Sequence, residues 1–199
     1  MNTNESNKTK KTKKNVSVKK EILSTLMTLL VALGIVMLLR TFIFTPVIVK
    51  GESMNPTLEN NDRILLLKME KVKRFDIVTF PAPDNPSENY VKRVIGLPGD
   101  EISYKNDILT INGKNYDEPY LTEFKANLSA GENLTTDFTL EQISGVSKVP
   151  TGKYLVLGDN RQNSKDGRMI GFIDADDIQG VADYRIWPIT TFGRIDKAE

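Results

Sequence analysis

Residues 22–39 read ILSTLMTLLVALGIVMLL, eighteen consecutive positions without a charged side chain, and this stretch decides how the rest of the chain is organised. An α-helix rises about 1.5 Å per residue and a bilayer has a hydrocarbon core about 30 Å thick, so a spanning helix needs roughly 20 apolar residues. Residues 20–44 supply that length, with Arg40 near one end, where a long basic side chain reaches the head groups. The sequence therefore predicts one transmembrane anchor helix over residues 20–44.

The flanks of this anchor predict its orientation. Residues 1–21 hold seven lysines against two glutamates, and basic flanks remain on the cytoplasmic side. We therefore expect residues 1–19 to form a cytoplasmic tail and residues 45–199 to lie outside the cell membrane. A cleaved signal peptide is the alternative interpretation, but the apolar stretch is long and residues 40–46 (RTFIFTP) offer no small-x-small cleavage site. A basic tail also suits nucleic acid, but the anchor that follows favours the lipid bilayer as the partner.

The remainder of the chain is typical of a β-rich domain. Short β-branched runs alternate with Gly, Pro, Asn and Asp, and no long amphipathic helix pattern follows the anchor. Tight turns are predicted at 106–107 and 112–113. The fold class predicted is mainly β, a partly open antiparallel β-barrel-like domain behind a transmembrane helix. Residues 115–150 lack strong periodicity and are predicted to be an inserted cap segment. The candidate strands are 63–68, 76–80, 90–95, 101–105, 108–111, 154–157 and 182–187.

The composition removes the commonest hydrolytic sites. The chain contains no histidine and no cysteine, which excludes a Ser-His-Asp triad, a Cys-His dyad and a His-rich zinc site. No metal and no cofactor is predicted. The lack of cysteine also agrees with an extracytoplasmic domain that forms no disulfides. A hydrolase of this composition needs a nucleophile activated in another way, and a serine beside a neutral lysine is the obvious candidate.

Two blocks of sequence carry such a pair. Ser53 lies in residues 51–58 (GESMNPTL), and Lys92 lies in residues 90–93 (YVKR). Burial in an apolar pocket disfavours the charged form of lysine, so that a lysine on a buried strand can act as a base. A Lys-Arg pair alone is more often a solvated strand edge. Two further polar blocks favour a functional site over a solvated strand edge, namely residues 96–100 (GLPGD) and 158–168 (GDNRQNSKDGR).

In this order, behind an anchor, these blocks resemble type I signal peptidases, membrane-anchored serine–lysine proteases that remove signal peptides from exported proteins. The resemblance covers nearly everything from the anchor onward, and the single anchor is similar to the form found in single-membrane bacteria. It implies that Ser53 is the nucleophile, that Lys92 is the general base and that Ser164 helps to position the lysine amine. Asp166 and Arg168 are expected to form a structural pair that shapes the loop of residues 158–168, called the late loop below.

One position departs from the pattern of the family. Some members carry a serine two residues before the nucleophile, where its hydroxyl helps to bind the oxyanion, and this chain has Gly51 there. The oxyanion hole is therefore expected to depend on the backbone N–H of Ser53 and another group nearby. A shallow apolar pocket for a small residue would suit signal peptides, which end in small-x-small. The residues expected to form its walls are Val49, Ile64, Leu66, Val78 and Val91.

The resemblance thus implies a serine endopeptidase of the cell membrane that cuts preprotein signal peptides after small-x-small, with a functional link to the secretion translocon. A self-cleaving Ser-Lys protease of the repressor type is an alternative, but it would have a DNA-binding N-terminal domain in place of the anchor. A membrane-tethered binding or assembly module with a non-catalytic site is another alternative. That reading requires Ser53 or Lys92 to be missing or displaced.

Overall fold

The structure is a computed structural model that describes residues 4–129 and 131–195. Residues 1–3 of the predicted tail, residue 130 of the predicted insertion and residues 196–199 lie outside the described residues. The chain divides into two compact units, Met1–Ile43 and Phe44–Glu199.

The first unit is a single long helix, α1 (Asn4–Phe42). Its part from Val18 to Phe42 spans 25 residues, and an 18-residue window within it has a mean hydropathy of 2.6 with none of the window buried. A helix that is apolar on all sides and packs against nothing within its unit is typical of a segment whose solvent is lipid. By length and composition, this helix can cross a membrane.

Among the described residues, the second unit contains twelve strands of two to twelve residues and three helices of four or five residues each. The strands are β1 (Phe44–Ile48), β2 (Arg63–Leu67), β3 (Ile77–Ala82), β4 (Asn85–Gly96), β5 (Ile102–Lys105), β6 (Ile108–Ile111), β7 (Lys114–Tyr116), β8 (Phe138–Thr139), β9 (Lys153–Leu157), β10 (Ile173–Asp174), β11 (Gly180–Trp187) and β12 (Gly193–Arg194). The helices are α2 (Thr122–Ala126), α3 (Leu140–Ser144) and α4 (Gly167–Ile170). Single 3-10 turns occur at Pro119–Leu121, Ala175–Asp177 and Ile189–Thr191.

The strands form two antiparallel sheets. The large sheet has the order β1-β2-β11-β3-β4-β9-β10, with β12 also paired to β11, and the small sheet has the order β7-β6-β5-β8. Neither sheet closes on itself, so the predicted fold class of a mainly β, partly open antiparallel domain is confirmed. Strand β4 lies near the middle of the large sheet, between β3 and β9, and is therefore buried over its second half.

Both turns predicted in the small sheet are present and have the chemistry that two-residue hairpins need. Asn106 and Asp107 have φ values of 50° and 58°, and they connect β5 to β6. Asn112 and Gly113 have φ values of 52° and 76° and connect β6 to β7. Asparagine, aspartate and glycine tolerate positive φ better than other residues, and this conformation matches the twist of the flanking strands.

The segment predicted as an insertion, residues 115–150, packs onto the small sheet. Its strand β8 pairs with β5, so the segment completes that sheet. Helix α3 begins with a capping box in which Thr139 and Gln142 satisfy each other's backbone N–H groups. The buried side chains of the segment join the cluster formed by the small sheet and by Leu155 and Leu157 of β9; they are Tyr120, Leu121, Leu134, Phe138, Leu140 and Val149.

Candidate active site

Ser53 lies on a loop between β1 and β2 that is held to the core by its own apolar residues. Met54 and Leu58 are buried in a cluster with residues of β2, β3 and β4. The backbone N–H of Leu58 donates to the carbonyl of Met54, and that of Gly51, at a φ of +83°, donates to Asn60 Oδ1. The alternation of small, apolar and turn-forming residues in 51–58 thus buries Met54 and leaves Ser53 partly exposed at the rim.

Lys92 reaches the same place from β4. Its side chain is buried, at 3% exposure, and its residue pairs with Val78 in the register of β3 and β4. The Nζ atom lies 2.7 Å from Ser53 Oγ and 3.1 Å from the carbonyl oxygen of Val91. It also lies 4.9 Å from the centre of the Tyr90 ring. Two residues 39 positions apart in the sequence are therefore in hydrogen-bond contact.

Burial moves the pKa of Lys92 towards neutral pH. Burial lowers the pKa of Lys92 from 10.5 to about 8, and the carboxylates of Asp166 and Asp159 act in the opposite direction. Lys92 makes no ion pair among residues 4–129 and 131–195, so no adjacent carboxylate holds it in the charged form. An appreciable fraction of neutral amine then exists slightly above pH 7, and its lone pair can accept the proton of the Ser53 hydroxyl.

Arg93, next to Lys92 on β4, forms a buried ion pair with Asp159 of the late loop. Its Nη2 donates to Asp159 Oδ2 at 2.7 Å and its Nε to Oδ1 at 2.9 Å, with neither side chain exposed. Thr57 Oγ1 also donates to Asp159 Oδ2, at 2.6 Å. Strand β4, the Ser53 loop and the late loop therefore meet at one carboxylate. Neither Thr57 nor Asp159 was predicted as a site residue, although they lie in the sequence blocks 51–58 and 158–168.

Asp166 and Arg168 form the predicted ion pair in the late loop. Asp166 caps α4 and accepts from Nε and Nη2 of Arg168, at 2.9 and 2.8 Å. The same carboxylate accepts the backbone N–H of Gly158 at 3.0 Å. Farther along the loop, the N–H of Asn160 donates to the carbonyl oxygen of Ser53 at 3.1 Å. The loop is therefore hydrogen-bonded directly to the backbone of Ser53.

Ser164 lies in this loop but is not bonded to the lysine. Its Oγ is buried and has no hydrogen-bond partner in the described part of the chain. A Cβ atom added to Gly158 would overlap this hydroxyl, which shows how closely the two residues pack. The contact to Lys92 that the resemblance implies is not formed in this structure.

The expected pocket residues divide into two groups. Val49 and Val91 line a cleft of about 190 Å³ that also contains Ser53 and Lys92. Ile64, Leu66 and Val78 do not line it, and at 0–2% exposure they lie in the core. Ile64 and Leu66 are alternate residues of β2 whose side chains lie on its buried face. Val78 lies on β3, which is buried on both faces. The remaining residues that line the cleft are Lys50, Met54, Asn89, Tyr90 and Lys165.

No metal-binding arrangement is found in residues 4–129 and 131–195, where no three His, Cys, Asp or Glu side chains come together suitably. The side chains at the site offer a hydroxyl, a buried amine and, nearby, the carboxylates of Asp159 and Asp166.

Known proteins are similar to this chain in sequence and in fold. The profile of the family "Signal peptidase, peptidase S26" matches residues 22–187. Signal peptidase I of Bacillus caldolyticus is 49% identical over 166 residues, which cover 81% of this chain and 90% of that protein. Signal peptidase IB of Staphylococcus aureus (strain COL) is 42% identical over 183 residues, covering 88% and 94%. A crystal structure of a signal peptidase I from Enterococcus faecalis V583 matches with a TM-score of 0.54 and 46% identity, over 56% of this chain and 97% of that one.

Proposed function

Given that the chain belongs to the signal peptidase family, peptidase S26, and is a type I enzyme of the Gram-positive kind, we propose that it removes N-terminal signal peptides from exported preproteins with a Ser53–Lys92 dyad. Members of this family are serine endopeptidases, and so is this chain. The observation that carries the dyad is the 2.7 Å contact between Lys92 Nζ and Ser53 Oγ, made by a lysine with a pKa of about 8.

The reaction begins when the neutral amine of Lys92 accepts the proton of Ser53 Oγ. The oxygen attacks the carbonyl carbon of the scissile peptide bond, and a tetrahedral intermediate forms. The backbone N–H of Ser53 is the first donor to its oxyanion. The ammonium of Lys92 then gives its proton to the leaving amine of the mature protein, and an acyl-enzyme on Ser53 remains. Lys92, neutral again, removes a proton from the water that attacks the ester, and it returns this proton to Ser53 Oγ as the bond between Oγ and the acyl carbon breaks.

The environment of Lys92 suits both halves of this cycle. Burial favours the neutral amine that starts each half, whereas the carboxylates of Asp159 and Asp166 make the transient ammonium less costly. A base works best when its pKa lies close to the working pH, and about 8 is much closer to that than 10.5.

The cleft beside the dyad favours small residues in the substrate. Its walls include Val49, Met54 and Val91, and its volume of about 190 Å³ leaves little room for a large side chain. A basic residue at P1 would lose its water on these apolar walls, which costs several kcal/mol, and it would also meet the ammonium groups of Lys50 and Lys165 that line the same cleft. P1 and P3 lie on the same face of an extended peptide, so both are expected to be small, while P2 points away and tolerates more.

Helix α1 supplies the proposed location. Residues 1–19 are proposed to lie in the cytoplasm, residues 20–42 of α1 to form a single-pass anchor and residues 45–199 to act outside, next to the secretion translocon that delivers the substrates. The helix ends two residues before the predicted position 44, because Phe44 pairs with Leu67 as the first residue of β1. Protease added to intact spheroplasts should degrade the domain after residue 45 and spare a tag at residue 1. Digestion of the tag in intact spheroplasts would reverse the topology.

A preprotein cleavage assay tests the function. The full chain in detergent should release a mature protein whose N-terminus follows alanine at P1, whereas Ser53→Ala should release none although it folds normally. A panel of preproteins with Lys, Glu or Phe at P1 should resist cleavage. If wild type leaves the preprotein intact, or if Ser53→Ala cuts as well as wild type, the proposed function is wrong.

A further inference from the structure

A second buried ion pair joins the segment 115–150 to the late loop. Glu118 directly precedes the 3-10 turn Pro119–Leu121, and Arg161 lies in residues 158–168. Arg161 Nη2 donates to Glu118 Oε1 at 2.5 Å, and the two side chains are 0% and 1% exposed. None of the sequence blocks that carry the family resemblance contains Glu118, and no step of the reaction described above uses either residue.

The guanidinium of Arg161 is held on several sides. The hydroxyls of Tyr104 and Tyr120 both donate to Glu118 Oε1, at 2.8 and 2.7 Å. Burial raises the pKa of both tyrosines well above its ordinary value, so these hydroxyls keep their protons. Arg161 Nη1 in turn donates to the Tyr104 hydroxyl at 2.9 Å and to Thr135 Oγ1 at 3.1 Å. The donors and acceptors around Arg161 come from β5 and from the segment 115–150.

The third nitrogen of Arg161, Nε, connects this network to Gly158, which packs against the backbone of Ser53. Arg161 Nε donates to the carbonyl oxygen of Gly158 at 2.9 Å, while the N–H of Gly158 donates to Asp166. Gly158 is fixed at both of its polar groups. A Cβ atom on Gly158 would overlap the carbonyl oxygen of Ser53, so this glycine packs directly against the backbone of the nucleophile. A shift of Gly158 therefore shifts Ser53.

We propose that Glu118 and Arg161 are positioning residues for the Ser53–Lys92 reaction, because they fix Gly158 and, through it, the backbone of Ser53. The inference rests on the proposed function. It also gives the segment 115–150 a role, since this segment supplies Glu118, Tyr120 and Thr135. A buried ion pair stabilises a fold little more than apolar residues of the same volume would, whereas it holds its partners in one geometry. An error of about 1 Å in placing a reacting group can cost about a hundredfold in rate.

The test compares Glu118→Gln with wild type on a preprotein substrate. Glu118→Gln keeps the shape and an acceptor oxygen but removes the charge that orders Arg161. We expect kcat to fall by about tenfold to a hundredfold while KM changes by less than about twofold. A looser late loop also admits water to Lys92, which weakens the effect of burial, so the acid limb of the pH–rate profile should move to higher pH.

Asp100→Asn is the matched control. Asp100 is another buried carboxylate with several donors, from Arg74, the N–H of Leu97 and Asn112, and in the described part of the chain it has no hydrogen bond or ion pair with residues 158–168. It should lower Tm as Glu118→Gln does and leave kcat and the acid limb at wild-type values. A Glu118→Gln enzyme that loses only stability, as the control does, overturns the proposal.

A milder variant covers the case in which Glu118→Gln does not fold. Thr135→Val removes one acceptor from Arg161 Nη1 and leaves the ion pair, so kcat should fall less but in the same direction, again at constant KM. An unchanged kcat in Thr135→Val, with Glu118→Gln unfolded, overturns the proposal. Failure of the wild-type chain to cut the preprotein would instead refute the proposed function, so the two failures are distinguishable.

Discussion

Strand β4 carries two buried basic residues next to each other, Lys92 and Arg93, and only one of them is paired with a carboxylate in the described part of the chain. Arg93 is paired through Nε and Nη2 with the buried carboxylate of Asp159. Lys92 has no ion pair in the described part of the chain, and its amine contacts the hydroxyl of Ser53 instead. Burial disfavours charge at both residues, but the guanidinium remains charged because it is paired and does not deprotonate in proteins. The pKa of the lysine falls to about 8.

Pairing with a carboxylate is what distinguishes a structural cation from a candidate base on this strand. A paired charge on one side of the strand joins three parts of the chain, whereas an unpaired amine on the other side is free to gain and lose a proton. The two residues cannot exchange roles, because only lysine can become neutral and only arginine presents the two-pronged donor that fits Asp159. Substitutions of Lys92 and Arg93 should therefore have different effects on activity and on stability.

Lys92→Arg should abolish cleavage, with a loss of about 10⁴-fold or more, because the guanidinium cannot accept the proton of Ser53. The measurement is preprotein turnover with folding checked by circular dichroism. Lys153→Arg, which alters a half-exposed lysine paired with Asp174 on β9 and β10, should keep wild-type turnover. Substantial cleavage by Lys92→Arg would mean that Lys92 is not the base.

Arg93→Met should unfold the domain or destabilise it by about 3–5 kcal/mol, because Asp159 is left buried without its partner. Chemical denaturation of residues 45–199 measures the effect. Arg194→Met is the control, since Arg194 is 67% exposed and its pair with Asp183 spans 3.4 Å, so its loss should cost less than about 1 kcal/mol. Equal effects in the two variants would remove the structural role of Arg93.

Lys92→Met should do the reverse of Arg93→Met and stabilise the fold. The pKa of Lys92 is about 8 in the folded state against 10.5 for an ordinary lysine. The unfolded chain therefore binds more protons between these two values, and wild-type stability rises with pH in that window. The cost of burying the charge, about 3 kcal/mol, is fully present below pH 8. Lys92→Met should thus be more stable by up to that amount at pH 7, with the advantage vanishing towards pH 10.5 in denaturation curves. A constant difference across this range would contradict the assignment.

The fold was largely predictable because its signals are local. An uncharged run long enough to span a bilayer and the positive-φ residues at 106–107 and 112–113 act through nearby backbone alone. Each of the seven predicted strands overlaps an observed one. The two-residue strands β8, β10 and β12 were not predicted, because pairs of that length are formed by tertiary contacts and carry no periodicity.

The candidate site was predictable only in part. Ser53 and Lys92 stand in dense blocks, and the structure brings them together. The pairing of Arg93 with Asp159 and of Arg161 with Glu118 joins residues 66 and 43 positions apart, and nothing local selects these partners. The placement of Ile64, Leu66 and Val78 in the core depends on which face of each strand is covered, and this depends on how the sheets pack.

The central claim is that Lys92 acts as a neutral base, and the pH dependence of kcat/KM tests it most directly. From about pH 6 to about pH 10, the wild-type rate should rise along one limb with an apparent pKa of about 8, with no histidine in the chain to account for it. Circular dichroism at each pH controls for unfolding. A limb near pH 8 is the result predicted, whereas a rate that is flat across this range, or that rises only near 10.5, would contradict the account.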